Sequence, residues 1–164
     1  MAKILITGMS GTGKSSVLLE LQKRGHRVVD TDSDEWCEWV TEENPDGQPG
    51  RDWIWREDRM TELLTGHKSG HLFIAGCKSN QGKFYPLCDA VVLLTAPSAL
   101  IFERIAVRDN NPYGKSEEER ALIAEHIATV EPLLRRGASD VLNTDRPLAE
   151  VADQLEGIAE KTNA

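Results

Sequence analysis

No stretch of this sequence approaches the ~18 consecutive apolar residues of a membrane-spanning helix, so no membrane partner is expected. Met1 runs straight into Lys-Ile-Leu-Ile-Thr, which reads as a core strand rather than a leader, so no signal peptide is expected. Positive charge is also short. With 19 Lys and Arg against 27 Asp and Glu, the net charge is −8. A chain this acidic lacks the basic face that grips a nucleic-acid backbone, so no nucleic-acid partner is expected. A few local arginines can still build a positive pocket on an acidic body. Cysteine is sparse: Cys37, Cys77 and Cys88 are odd in number and widely spaced, which suggests reduced thiols and a cytoplasmic location. No tight Cys-x-x-Cys pair anchors a metal cluster on His71, Cys77 and Cys88. Aromatic residues make up only 5 % of the chain.

What is present is an alternation of short apolar runs and longer amphipathic ones over 164 residues, enough for one domain with a real core. Strands are predicted at Lys3–Thr7, Arg27–Asp30, His71–Ala75, Ala90–Thr95 and Asp140–Asn143. Helices are predicted at Lys14–Arg24, Ser33–Glu43, Asp52–Thr65, Ser98–Arg108, Ser116–Arg136 and Pro147–Glu160. The Asn-Pro-Asp-Gly-Gln-Pro-Gly segment at 44–50 reads as a loop. Strand and helix alternate, so the fold class is α/β: three layers around a five-stranded parallel sheet, with chemistry at the C-terminal ends of the strands.

The strongest local signal is Gly8-Met9-Ser10-Gly11-Thr12-Gly13-Lys14-Ser15, which fits G-x-x-x-x-G-K-[ST] between a strand and a helix. Glycines let the backbone curl so that successive N–H groups point inward at phosphate oxygens. The N-terminus of the following helix adds partial positive charge. Gly8, Ser10, Gly11, Thr12, Gly13, Lys14, Ser15 and Ser16 are therefore expected to bind nucleotide. Lys14 would bridge the β- and γ-phosphates, Ser15 would ligate Mg²⁺, and Ser16 would support the α-phosphate. A Rossmann dinucleotide site is disfavoured by the glycine spacing and the lysine.

Asp30-Thr31-Asp32 closes the second strand. At period two, both carboxylates project to the same side. Asp30 is assigned to the Mg²⁺ shell and Asp32 to the acceptor hydroxyl. The same pair could instead cap a helix starting near Ser33. All four tryptophans, Trp36, Trp39, Trp53 and Trp55, fall between the second and third strands, where acceptor-binding helices are expected. Indoles there can stack on a planar ring or a sugar face, or fix short helices to the core, and the sequence leaves these open. Arg56 and Arg59, three apart on one helix face, could clamp an anion.

These residues resemble the shikimate kinase and nucleotide kinase branch of the P-loop proteins, over nearly the whole chain. The resemblance implies that Asp30 and Asp32 hold the metal shell and the acceptor hydroxyl. It implies that Arg56, in the Trp55-Arg56 step, contacts substrate, and that Arg135 and Arg136, in Pro132-Leu133-Leu134-Arg135-Arg136, belong to the substrate side. Asn143-Thr144-Asp145-Arg146 is similar to the adenine-side loop, with Arg146 near the base. Glu103-Arg104-Ile105-Ala106-Val107-Arg108 resembles the helix leading into the adenylate kinase lid. Arg104 would then lie along the adenine and Arg108 would reach phosphate and act in catalysis, with a short lid at 109–116.

The sequence departs from the family where Gly76-Cys77-Lys78-Ser79-Asn80-Gln81-Gly82-Lys83 replaces the Gly-rich turn of shikimate kinases. The Asp-Gly-x-Pro-Arg motif of nucleotide kinases is also missing. Asn80, Gln81 or Lys83 is expected to touch the acceptor instead. No acidic Walker B residue follows the third strand, which leaves the metal role to Asp30.

The expected activity is an ATP- and Mg²⁺-dependent kinase acting on a small-molecule hydroxyl, with Lys14, Asp32 and Arg108 as its catalytic residues. The acceptor region is expected at about 33–66, within a single domain working as a monomer or homodimer. Two other readings are a nucleoside monophosphate kinase and a P-loop NTPase that signals to a partner. The missing guanine motif and Walker B acid weigh against the common forms of the latter.

Overall fold

The computed structural model describes residues 1–43, 45–109 and 111–162. Asn44, in the expected 44–50 loop, and Asn110, in the expected lid, lie outside the described residues.

Five strands form one parallel sheet: β1 (Lys3–Thr7), β2 (Arg27–Asp30), β5 (Leu72–Ala75), β6 (Ala90–Thr95) and β7 (Asp140–Asn143), in the order β2-β5-β1-β6-β7. Each occupies a predicted strand. Central β1 and β6 are apolar almost throughout because helices cover both faces of the sheet. Alternation sorts their side chains: Ile4 and Ile6 join Phe73, Val92 and Leu94 on one face, while Leu5 joins Leu72, Ile74 and Val91 on the other.

The first face is covered by α1 (Lys14–Lys23) and α6 (Leu148–Thr162), through Leu18, Leu21, Val151 and Leu155. The second is covered by α2 (Glu57–Gly66) and a 3-10 helix at Gln81–Leu87, through Met60, Leu64 and Phe84. Burying a side chain of this size contributes roughly 1.5–3 kcal/mol against leaving it in water.

Helix α3 (Ser98–Val107) follows β6. Helix α4 (Glu117–Thr129) starts on a serine N-cap, in which Ser116 Oγ accepts from the Glu119 N–H at 3.1 Å. The long helix predicted over 116–136 is in fact two. The chain breaks at Val130, and α5 (Glu131–Gly137) begins with Pro132 in its first turn. Proline has no N–H to continue the ladder, so the break falls just before it.

The largest departure lies between β2 and β5. Ser33–Glu43 is not a helix: residues 33–36 form a turn, and β3 (Cys37–Glu43) follows it. Asp52–Thr65 is helical only from Glu57, because β4 (Pro49–Trp55) takes its first residues. The two strands pair antiparallel, with Cys37 opposite Trp55 and Trp39 opposite Trp53, and they join no other strand among the described residues.

The hairpin base is fastened to the main sheet by a small buried network. Trp55 Nε1 donates to Thr31 Oγ1 at 2.8 Å, and Thr31 Oγ1 donates to the Ala75 carbonyl at 2.8 Å. Asn80 closes it from the other side, accepting from the Trp55 N–H at 3.1 Å and donating to the Trp55 carbonyl at 3.0 Å.

Candidate active site

Residues 8–14 curl at the C-terminal end of β1. Gly8, Gly11 and Gly13 take positive φ of 152°, 83° and 97°. Gly8 has a second requirement, since a Cβ there would lie 2.6 Å from the Leu94 carbonyl oxygen. The loop therefore packs against β6 as only glycine allows. Thr12 is buried behind it and donates to the Met9 carbonyl at 2.7 Å. The Lys14 ammonium stays inside the loop, donating to the carbonyls of Gly8 at 2.6 Å and Met9 at 3.0 Å. Burial pushes its pKa below the ordinary lysine value, while Cys77, Asp30 and Asp32 pull the other way.

The first turn of α1 meets the end of β2. Ser15 Oγ donates to Asp30 Oδ2 at 3.1 Å, and Asp30 Oδ1 accepts from the Asp32 N–H at 3.2 Å. Asp32 Oδ1 accepts from Lys78 Nζ at 3.0 Å. Ser15 and Asp30 thus present hydroxyl and carboxylate oxygens side by side, a donor set that suits a hard cation such as Mg²⁺.

Across the loop, Arg104 on α3 donates to Thr144 Oγ1 at 2.9 Å, the Thr144 carbonyl at 2.7 Å and the Gly11 carbonyl at 3.4 Å. Thr144 Oγ1 in turn donates to the Thr12 carbonyl at 2.8 Å. Arg108 spans from Ser10 Oγ at 3.2 Å to the carbonyls of Asn111 at 3.1 Å and Tyr113 at 2.6 Å. It therefore ties the phosphate loop to the segment before α4.

A model of the AAA domain family matches residues 4–125. The chain belongs to that family. Its fold is that of P-loop small-molecule kinases. Shikimate kinase from Acinetobacter baumannii, solved in complex with shikimate, is 22 % identical, with a TM-score of 0.64 over 96 % of this chain and 92 % of that one. Shikimate kinase from Bacteroides thetaiotaomicron is 16 % identical, with a TM-score of 0.65 over 97 % and 98 %. A gluconokinase from Sinorhizobium meliloti is 19 % identical, with a TM-score of 0.54 over 99 % and 94 %. Among curated proteins, HPr kinase/phosphorylase from Bacillus mycoides is 67 % identical over only 30 residues, 18 % of this chain. The chain spans about 10 % of the length of that relative.

In this AAA domain one cleft of about 1820 Å³ collects most of the expected site. Gly8, Ser10, Gly11, Gly13, Lys14, Ser15, Ser16, Asp30, Asp32, Arg104, Arg108 and Arg146 all line it. Thr12 does not line it, nor do Gln81, bonded to Thr7 and Tyr85, and Lys83, paired with Glu57; nor do five other residues expected on the substrate side. Asn80 is committed to the Trp55 backbone and to Glu57. Arg56 donates to Glu38 Oε2 and to the Asp34 carbonyl, both at 3.0 Å, and so braces the turn before β3. Arg59 is exposed on α2. Arg135 and Arg136 border a separate hollow of about 550 Å³ beside Glu131 and Pro132.

Other residues enter the cleft that sequence reasoning did not assign to it: Lys78 and Cys77 after β5, and Trp39, Arg51, Asp52 and Trp53 on the hairpin. The two tryptophans were legible as candidates from their clustering. Lys78 had no signal beyond its place in an unusual loop. No helix among the described residues is long and apolar enough to cross a membrane.

Proposed function

We propose that this chain transfers the γ-phosphoryl group of ATP to a hydroxyl of a small molecule. One observation carries the reading: Ser15, Asp30, Asp32 and Lys78 form a continuous hydrogen-bonded chain at the mouth of the phosphate loop. A machine that only bound nucleotide would need Ser15 and Asp30. Asp32 and Lys78 extend the same line of groups away from the loop, toward the hairpin side of the cleft.

Ser15 and Asp30 would hold Mg²⁺, which supplies charge neutralisation on the phosphates when bound. The loop amides and Lys14 bind and orient the triphosphate. Asp32 has one carboxylate oxygen occupied by Lys78, which leaves Oδ2 to accept the hydrogen of the acceptor hydroxyl. The hydroxyl oxygen forms its bond to the γ-phosphorus as the bond to the β–γ bridging oxygen breaks, and the hydroxyl proton passes by way of Asp32 to solvent. Arg108, anchored at Ser10, offers positive charge to the transferring oxygens. Its grip on Asn111 and Tyr113 would let the 111–116 segment close over the ligands and exclude water. Arg104 and Arg146 would flank the adenine.

The test is a metabolite screen for compounds that raise ATP consumption, followed by variants. Lys14→Ala is expected to lower transfer by ~10²-fold or more, as loss of a preorganised charge donor does. Asp32→Ala is expected to keep ATP binding and lose transfer. Near-normal turnover in Asp32→Ala would overturn the acceptor role. ATP hydrolysis indifferent to every metabolite would overturn the kinase reading itself.

A further inference from the structure

The hairpin is the part of the cleft that phosphate binding does not explain. Its two strands put Trp39 directly opposite Trp53, with ring centroids 5.0 Å apart and planes inclined at 49°. Trp53 is half-buried and packs on the core of the second sheet face, beside Trp55 and Phe84. Trp39 is 57 % exposed. The Arg51 guanidinium carbon lies 4.7 Å from the Trp39 ring centroid, and among the described residues Arg51 has no carboxylate partner. All three side chains line the same cleft as Asp32 and Lys14.

A large indole left in water is unfavourable, and the Arg51 guanidinium is a fork of hydrogen-bond donors that can receive an anion even on a chain carrying a net charge of −8. Each gains if a ligand supplies what it lacks. A flat π-face would cover the indoles, and a negative group would meet the guanidinium. The platform is also pre-formed. The Trp55–Thr31 and Asn80–Trp55 bonds pin the base of the hairpin, and Ser79 Oγ donates to the Asp52 carboxylate in a short hydrogen bond. Ligand binding therefore need not order this element, which lowers its entropic cost.

We infer that the phosphate acceptor is a planar aromatic or heteroaromatic ring bearing a hydroxyl and an anionic substituent, stacked on Trp39 and Trp53 with its charge on Arg51. This deepens the kinase reading and rests on it only for the fate of the hydroxyl; the binding claim stands apart. The geometry disfavours an open-chain polyol acid such as gluconate, which presents no flat face to an indole pair.

The experiment is calorimetry on the whole chain with Mg²⁺ and a non-hydrolysable ATP analogue present. Three probes are compared: 4-hydroxymethylbenzoate, its neutral amide 4-hydroxymethylbenzamide, and gluconate. The flat acid is expected to bind more tightly than both others. Trp39→Ala should weaken it roughly tenfold, and Trp39→Phe, which keeps a ring, should restore most of that loss. Arg51→Gln should remove the preference for acid over amide. Thermal midpoints of the variants check that they are folded, and Trp39 is exposed enough for its loss to be tolerated.

The inference is overturned if the flat acid shows no saturable heat, if gluconate binds more tightly, or if Trp39→Ala binds as wild type does. Binding of the ATP analogue, followed separately on the wild type, reports on the kinase reading. Its absence would sink that reading while leaving the platform to be judged by the flat acid alone.

Discussion

Lys78 holds Asp32: the lysine ammonium stands 3.0 Å from the carboxylate, with 13 % of the lysine side chain exposed against 64 % of the aspartate's. The buried partner is therefore the fixed one, and it aims the exposed partner. Lys78→Met should lower kcat about tenfold by letting Asp32 swing, with a smaller effect on the KM for ATP. Lys78→Arg should recover part of the loss. Steady-state kinetics on the three proteins checks this, and equal effects on kcat and on the KM for ATP would count against a positioning role.

Gly8 sits where a methyl group would strike the Leu94 carbonyl at 2.6 Å. Leu94 belongs to central β6 and Gly8 to the first turn of the loop that leaves central β1, so neither yields easily. Gly8→Ala should cost about 2 kcal/mol of stability, in the range of an overpacked interior. It should also weaken nucleotide binding, because the loop must open to relieve the contact. Denaturant titration and calorimetry with Mg-ATP analogue measure the two effects.

Arg104 binds three acceptors on two segments, Thr144 and Gly11. Arg104→Met keeps the stem and removes the donors. Each lost hydrogen bond is worth about 1 kcal/mol, so the thermal midpoint should fall by several degrees. The KM for ATP should rise more than kcat falls, since the loop after β7 loses its brace on the nucleotide side. An unchanged KM would mean that Arg104 is purely structural.

Acid should weaken the fold in two steps. Burial, the N-terminal ammonium and His26 hold the pKa of His71 below the ordinary 6.5. The unfolded chain then takes up a proton at His71 more readily than the native one, so stability present above pH 6.5 is lost as pH falls toward the lower native value. Glu156 is held below 4.5, first by its hydrogen bond with His26 and also by Arg24. Its contribution is present above 4.5 and is lost below that. Urea midpoints at pH 7.5, 5.5 and 4 should fall successively, and His71→Gln should flatten the first step only.

The five parallel strands were legible because each is a short, largely apolar run set off from the longer amphipathic segments on either side of it. The phosphate loop was legible because lysine and serine after spaced glycines have few other uses. The hairpin was not, and its residues show why. Trp36 and Trp39 are three apart, Glu35 and Glu38 likewise, and that spacing imitates a helix face. What separates the readings is Pro45-Asp46-Gly47 between two segments that carry aromatic and β-branched residues (Trp39-Val40-Thr41 and Trp53-Ile54-Trp55), a turn signal flanked by strand formers. Asn80 and Arg56 are polar residues near a polar cleft, but their hydrogen bonds go to Trp55, Glu38 and Asp34. Such partners arise only once the chain is folded. Pro132, by contrast, was a visible helix break.

Among the described residues the β3–β4 ribbon pairs with no strand of the main sheet; its base is tied at Trp55, Thr31 and Asn80, and Asp52 and Trp53 fasten β4 a little further out. Ribbon residues outside those contacts can therefore diverge with little cost to the sheet or to the phosphate loop. Whatever ligand the cleft takes, its selectivity can drift by changes confined to this ribbon while the phosphate loop stays as it is.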